Sequence, residues 1–264
     1  MQMIHVGYVR EIVRYPVKSM AGIATESAIL GWHGLEGDRR FGFRRIGDDG
    51  SFPWLSASRL PELLLYQPVG LDESGGEPLP SHVRTPDGSL LDLRSSELNA
   101  ELGARFGSAV ELMNLKHGIF DEATISVISL ATIAGIGREA GLGGDLDRRR
   151  FRANILVETE GSEPFLEDEW VGGTLVFGDR LSEPPALAGG PVSEPPAVAG
   201  GPAVSVTMPD VRCVMVNLDP ETAAKDARVM KTVVRLNQNN AGVYATVVRT
   251  GTIRVGDRVS LVSH

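Results

Sequence analysis

The chain has 264 residues, 42% hydrophobic and 23% charged, with a formal net charge of −8. That length builds one large domain or two modest ones around a real core, and the composition is ordinary for a globular protein. The acidic balance argues against a general binder of nucleic acid or anionic membranes, and the single cysteine excludes an internal disulfide framework and any zinc site made of several thiolates.

No apolar run approaches the roughly 20 residues that span a bilayer. The opening Met1–Arg10 lacks the charged start and apolar stretch of a secretion signal, so the reading is a cytoplasmic protein. Ile4, Val6 and Tyr8 alternate as in a half-buried strand. Apolar runs follow at Ala28–Leu30, Phe41–Arg45 and Leu63–Val69, parted by turn residues at Gly47–Gly50 and Asp72–Pro80. Asp87-Gly88 lies between the short runs His82–Thr85 and Leu90–Leu93, which predicts a hairpin. Leu98, Leu102 and Phe106 recur every fourth residue and predict a helix over Ser96–Phe106.

A second module is expected from near Asp121, which divides the chain into residues 1–118 and 119–264. Ser129 is placed to cap a helix carrying Ile133 and Ile136. Strands are expected over Arg152–Val157, Thr174–Phe177, Val204–Met208 and Cys213–Leu218, with a helix from near Pro220. The chain closes with strands Gly242–Arg249 and Arg258–Val262, joined through Gly251–Asp257. With little room for βαβ units, the expected fold is mainly β (α+β): a mostly antiparallel barrel with a few helices, preceded by a smaller β-rich domain. One duplication stands out, SEPPALAGGPV at Ser182–Val192 and SEPPAVAGGPA at Ser193–Ala203. Proline, glycine and alanine dominate it and cannot build a core, so residues 182–203 read as an expanded loop, with a lid or docking role as the alternative.

Cys213 is the first candidate for chemistry. It follows Arg212 in PDVRCVMVNLDP, and a guanidinium beside a thiol favours the thiolate that binds metals or attacks electrophiles. The competing reading is a small buried hydrophobe, the commonest setting of free cysteine. Basic residues cluster at Arg39 and Arg40, at Arg148, Arg149, Arg150 and Arg152, and at Lys18 beside Ser19. They read as solvated faces or as a cradle for a phosphate or other compact anion. Asn154, two residues after Arg152, would share its face on a strand.

Other chemistries lack support. Gly135–Gly144 contains Gly-x-Gly-x-x-Ala but follows a predicted helix rather than a strand. The histidines at 5, 33, 82, 117 and 264 have no zinc-ligand spacing, and no Gly-x-Ser-x-Gly elbow occurs.

Taken together, several segments resemble the MOSC family, named for the C-terminal domain of molybdenum cofactor sulfurases. Tyr15–Ser19 (YPVKS) and Gly37–Phe41 (GDRRF) look like that family's N-terminal β-barrel domain. Arg150–Ile155 (RFRANI), Phe165–Gly172 (FLEDEWVG), Arg212–Pro220 (RCVMVNLDP), Met230–Thr232 (MKT) and Gly251–Asp257 (GTIRVGD) look like the MOSC domain. Within the family the chain is similar to the mitochondrial amidoxime-reducing components and their bacterial counterparts. The resemblance implies a molybdenum cofactor, with pterin-bound molybdenum ligated by the Cys213 thiolate as the catalytic centre. It implies contacts to the pterin and phosphate from Lys18, Ser19 and Arg40, with Arg39 sharing the last role. Ser129, Arg152, Asn154, Arg212 and Tyr244 match further cofactor-contacting positions.

The implied activity is reduction of small N-hydroxylated compounds, N–OH to N–H. Bacterial counterparts often carry an iron–sulfur domain of ferredoxin type, which one cysteine cannot ligate. Electrons are therefore expected from a separate donor protein, a flavin or iron–sulfur reductase, with neither nucleic acid nor membrane as partner. A cofactor carrier or sulfur-handling module bearing a persulfide on Cys213, and a cofactor-free binding protein, are the competing readings.

Overall fold

The structure is a computed structural model that describes residues 2–72, 77–116, 118, 122–143, 146–178 and 200–263. Its first half runs through strands β1 (Gln2–Arg14), β2 (Ile23–Thr25), β3 (Ser27–Gly31), β4 (Gly34–Leu35), β5 (Phe41–Arg45), β6 (Gln67–Asp72), β7 (Leu79–Arg84) and β8 (Leu90–Asp92), then helix α1 (Ser96–Phe106) and strand β9 (Val110–Asn114). The second half comprises β10 (Ile125–Ser129), α2 (Leu130–Glu139), β11 (Ile155–Thr159), β12 (Thr174–Phe177), β13 (Ala203–Val211), α3 (Ala227–Asn237), β14 (Asn240–Arg249), β15 (Gly251–Arg254) and β16 (Arg258–Ser263).

The architecture is mainly β, with a closed seven-strand barrel. Around the barrel the order is β11-β10-β14-β13-β12-β16-β1, and β1 closes the ring by pairing with β11. The first strand is thus a stave of a barrel otherwise built from residues 125–263. It serves three neighbours: β16 and β2 in turn along one edge, β11 along the other. Gly7 makes the crossing tight. Its φ is +151°, and a Cβ there would stand 2.2 Å from the Glu158 carbonyl oxygen, so only glycine lets β1 approach β11 at the bulge.

Alternation sorts the strands' side chains. Ile125, Val127, Ile155, Val157, Leu175, Val204, Val206, Val243 and Ala245 fill the barrel interior with Trp170 and Phe177. The opposite faces of β10 and β11 give Ile128 and Leu156 to a second cluster under α2 and α3, with Ile133, Ile136, Phe151, Val216, Val229 and Val233. A third cluster belongs to the first half and packs Phe41, Phe43, Leu63, Tyr66, Leu98 and Leu102 beneath the small sheets β5-β9 and β6-β7-β8. Leu218 and Met215 join this third cluster from the far side of the chain, and β15 pairs with β3, so the halves share contacts in two places.

Local chemistry sets the element ends. The Ser95 hydroxyl accepts the Leu98 N–H to start α1, and Gly107 at φ +82° ends it. Four sequence expectations are corrected. Cys213–Leu218 is not a strand: a 3₁₀ turn occupies Val214–Asn217, and the period-two spacing of Val214, Val216 and Leu218 serves different clusters. The last helix starts at Ala227 rather than near Pro220. The Asp219 carboxylate gathers the N–H groups of Glu221 and Thr222 into a turn, and Ala223 at φ +59° stops propagation. Strand β11 starts at Ile155, not Arg152, because Arg152 is left-handed at φ +52°. Finally, β10 and β11 are parallel and joined through α2, a βαβ unit in an otherwise antiparallel barrel. The run at Leu63–Val69 divides into a 3₁₀ turn, Pro61–Leu65, and β6. The expected module start near Asp121 and the repeat as far as residue 199 lie outside the described residues. Among those described, no helix is long and apolar enough to cross a membrane.

Candidate functional site

Three segments meet where the first half abuts the barrel: the loop after β1, the turn before β5, and the stretch that leads into β11. Their centre is Asn154, fully buried. Its Nδ2 donates to the Val13 carbonyl (3.1 Å) and to Asp38 Oδ2 (3.0 Å). Its Oδ1 accepts from Arg39 Nη1 (3.0 Å) and the Ser126 N–H (3.2 Å). Asp38, equally buried, also accepts the Tyr15 N–H at 2.6 Å and pairs with Arg39. A buried amide with both ends satisfied is a rigid joint between elements distant in sequence.

Tyr15 is sandwiched by two cations. The Arg152 guanidinium lies 4.3 Å from the ring centroid and that of Arg39 lies 5.4 Å away. Burial pushes the Tyr15 hydroxyl up to about 12, against the opposing pull of Arg152 and Arg39, so the ring stays neutral at physiological pH. Arg152 also donates from Nη1 to the Met20 carbonyl (2.7 Å), and Arg39 Nη2 donates to the Arg152 carbonyl (3.2 Å). Ser19, Arg39 and Arg152 are all left-handed without being glycine, at φ +67°, +51° and +52°. Such backbone costs of order 1–3 kcal/mol per residue and persists only where surroundings over-determine it, a pattern concentrated at binding sites. Lys18, another basic nominee, donates its N–H to the Phe41 carbonyl (2.8 Å) and holds its ammonium 5.5 Å from the Phe52 ring.

Arg212 joins this cluster to Cys213. Its Nε donates to the Ala241 carbonyl and its Nη1 to the Phe151 carbonyl, both at 2.6 Å. Nη2 stands 2.9 Å from Asp210 Oδ2 without hydrogen-bond alignment. Asp210 is buried, and that burial raises its carboxyl while Arg212, Ser126, Tyr244 and Arg39 oppose the rise. The Ser126 hydroxyl donates to it at 2.6 Å, and the Tyr244 hydroxyl bonds it as well. Gly242 makes room: a Cβ there would stand 3.0 Å from Arg212 Nη2 and 2.6 Å from the Val127 carbonyl oxygen.

Cys213 itself is exposed, which removes the buried-hydrophobe reading. Its carbonyl accepts the Val216 N–H and opens the 3₁₀ turn, whose Met215 packs against the first half. Because Arg212 grips the Phe151 carbonyl, Cys213 and Arg152 each follow directly after one partner of that contact. Arg212 Nη2 and Asn239 Oδ1 are buried without a hydrogen-bond partner among the described residues, and the Asn239 carbonyl accepts the Arg212 N–H.

The remaining nominees are placed differently. Arg40 is buried and bonded to Glu77 and the Asp38 carbonyl, where it braces the turn. Ser129 is fully buried as the cap of α2: its hydroxyl accepts the Thr132 N–H (3.0 Å), and its own N–H donates to Glu167 (3.3 Å). Sequence reasoning missed Tyr15, Asp38, Asp210 and Asn239. The first two lay inside the YPVKS and GDRRF motifs, and Asp210 sits two residues from Arg212 at the end of β13, a spacing that puts both on one side.

The donor set can be tested against a metal cofactor. Among the described residues no group of three His, Cys, Asp or Glu could hold an ion, so a metal at Cys213 must bring most of its own ligands. One exposed soft sulfur, next in sequence to the buried Arg212, fits a chelate-borne metal that brings its own ligands. An open depression of about 600 Å³ lined by Leu130, Ile133, Leu146 and Arg148 contains none of the nominated residues.

Comparison with known proteins agrees with the sequence reading of the family. The sequence matches the MOSC domain over residues 114–260 and the MOSC N-terminal beta barrel domain over residues 6–98. No curated protein matches it. Among solved structures, the YuaD protein from Bacillus subtilis is similar in fold, with a TM-score of 0.51 at 14% identity, covering 100% of this chain and 98% of that one. YiiM from Geobacillus stearothermophilus aligns over 53% of this chain and 55% of its own, at 16% identity and a TM-score of 0.34.

Proposed function

The chain belongs to the MOSC domain family, and from that premise we propose that it is a molybdenum-cofactor-dependent oxidoreductase that reduces N-hydroxylated compounds, N–OH to N–H, with electrons from a separate redox protein. The observation that carries this reading is the exposed Cys213 thiol directly after Arg212, which is anchored to the Phe151 carbonyl one residue before Arg152. When bound, the cofactor would supply the two-electron chemistry at the N–O bond. The protein's part is to hold and orient. Cys213 offers one thiolate, and Lys18, Arg39 and Arg152 offer positive charge to an anionic tail. Asn239 Oδ1 offers an acceptor with no hydrogen-bond partner among the described residues, while Arg212 Nη2 is ion-paired with Asp210. Asn154, Asp38, Arg40 and Asp210 fix those groups rather than touch a ligand, while Ser129 secures α2.

The test is molybdenum and pterin analysis of protein from a molybdate-fed, cofactor-competent host, wild type beside Cys213→Ser. Near-stoichiometric metal and pterin in the wild type, altered metal spectroscopy in the variant, and loss of N-reductive turnover with folding retained are expected. No metal in the wild type, while a known cofactor protein from the same host is loaded, overturns the reading. Bound cofactor or a labile persulfide on Cys213, without turnover of amidoximes or hydroxylamines, would instead favour the carrier or sulfur-handling role, for which thiol exposure is also suited.

A further inference from the structure

Helix α3 presents two unlike faces. Val229, Thr232 and Val233 are buried, and Val229 and Val233 pack in the same cluster as Val216 of the turn that Cys213 opens. The Asn217 side chain accepts the Met230 N–H at 2.8 Å, and the Asn217 carbonyl accepts that of Asp226 at 2.8 Å, so turn and helix are locked together. The other face, at helical spacing, exposes Ala227, Arg228, Lys231, Val234 and Arg235, with Lys225 exposed just before it. No acidic residue occurs within Ala227–Asn237. Arg228 pairs with the capping Asp226, and Arg235 with Glu139 of α2. Lys225 and Lys231 have no ion-pair partner among the described residues. A protein of net charge −8 thus carries a cationic strip on the element that buttresses its exposed thiol.

We propose that the outer face of α3, with Lys225 at its foot, is the docking surface for a small acidic electron-transfer protein. The proposal rests on the redox reading above, which requires a separate donor. Charge complementarity selects the partner: Lys225 and Lys231, with Arg228 and Arg235 beside them, attract an acidic surface. Val234, Val214 and Val211, all exposed, supply the apolar contacts that let an encounter settle. Such a surface governs association rate and salt dependence more than final affinity.

The probes are an acidic [2Fe–2S] ferredoxin and a flavodoxin, with the basic protein cytochrome c and a DNA duplex as controls, titrated against the full chain at low and high salt. Both acidic proteins are expected to bind, at least about tenfold more weakly on raising salt from 50 to 200 mM. The double variant Lys225→Glu/Lys231→Glu is expected to lower the association rate by about tenfold or more, with an unchanged melting temperature. In loaded enzyme the same variant should lose ferredoxin-driven turnover and keep turnover driven by reduced methyl viologen. Acidic donors that bind no better than cytochrome c, binding indifferent to the charge reversal, or preference for DNA overturns the docking surface. These binding results do not depend on the molybdenum analysis, so the two ideas fail separately.

Discussion

The barrel interior and the seam beside it are both buried, yet they are built from opposite materials. The barrel is packed with side chains such as Ile125, Val157, Leu175 and Val243. At the seam, Asp38, Asn154, Asp210 and Arg212 are buried to nearly the same degree and satisfied almost wholly by one another and by backbone. An apolar core tolerates rearrangement, since dispersion and area burial have no direction. A buried polar joint has one arrangement, and removing one partner strands the others. The barrel therefore holds the molecule together, while the seam fixes where Arg39, Arg152 and Cys213 stand.

The largest effects should come from one cut in each region. Asp38→Ala takes from Arg39 its ion-pair partner, from Asn154 Nδ2 one of its two acceptors and from the Tyr15 N–H its side-chain acceptor, and about 3–5 kcal/mol of stability is expected to go. Leu175→Ala in the barrel should cost about 2–5 kcal/mol. Denaturant unfolding measures both. The distinction lies in the folded fraction: the Leu175 variant should retain molybdenum and pterin, the Asp38 variant should not. Equal retention would mean that the seam is merely a second core.

A smaller cut is Gly242→Ala. At φ +84° the backbone is strained for alanine, and the new methyl crowds Val127 and Arg212, so a loss of about 1–3 kcal/mol is expected together with weaker cofactor retention. The smallest effect concerns Glu167, buried beneath Ser129 and Thr132. Burial raises its carboxyl, so the folded state holds the proton more tightly than the unfolded chain does. Its contribution favours folding below the ordinary carboxylate value of 4.5 and is lost as pH rises through that value toward the raised one. Glu167→Gln should match wild type at pH 4 and melt higher by about 1–3 °C at pH 8, a difference that calorimetry resolves.

Much of the frame was legible. Periodicity gives α1 and Asp87-Gly88 gives the β7-β8 hairpin, because side-chain spacing and turn chemistry are local. The parallel β10-β11 pair was hidden, since nothing local distinguishes it from an antiparallel neighbour. Alternation misled at Cys213–Leu218, where Val216 and Leu218 face different cores rather than one sheet face. The family motifs pointed to the basic residues but not to their division of labour. That Arg152 stacks on Tyr15 depends on contacts spanning over a hundred positions, as between Arg152 and Met20, while Arg40 braces its turn through Glu77 and the Asp38 carbonyl.

The pairing of β1 with β16 sets an order of events. Gln2 pairs opposite Ser263 and Tyr8 opposite Arg258, so the barrel cannot close before β16 has been made. Until then β1 presents an open edge of the sort that invites intermolecular pairing. Contacts of such sequence separation also fold slowly. Ring closure, rather than helix formation, should therefore be the late step in refolding, and β1 would need protection until β16 is available to pair with it.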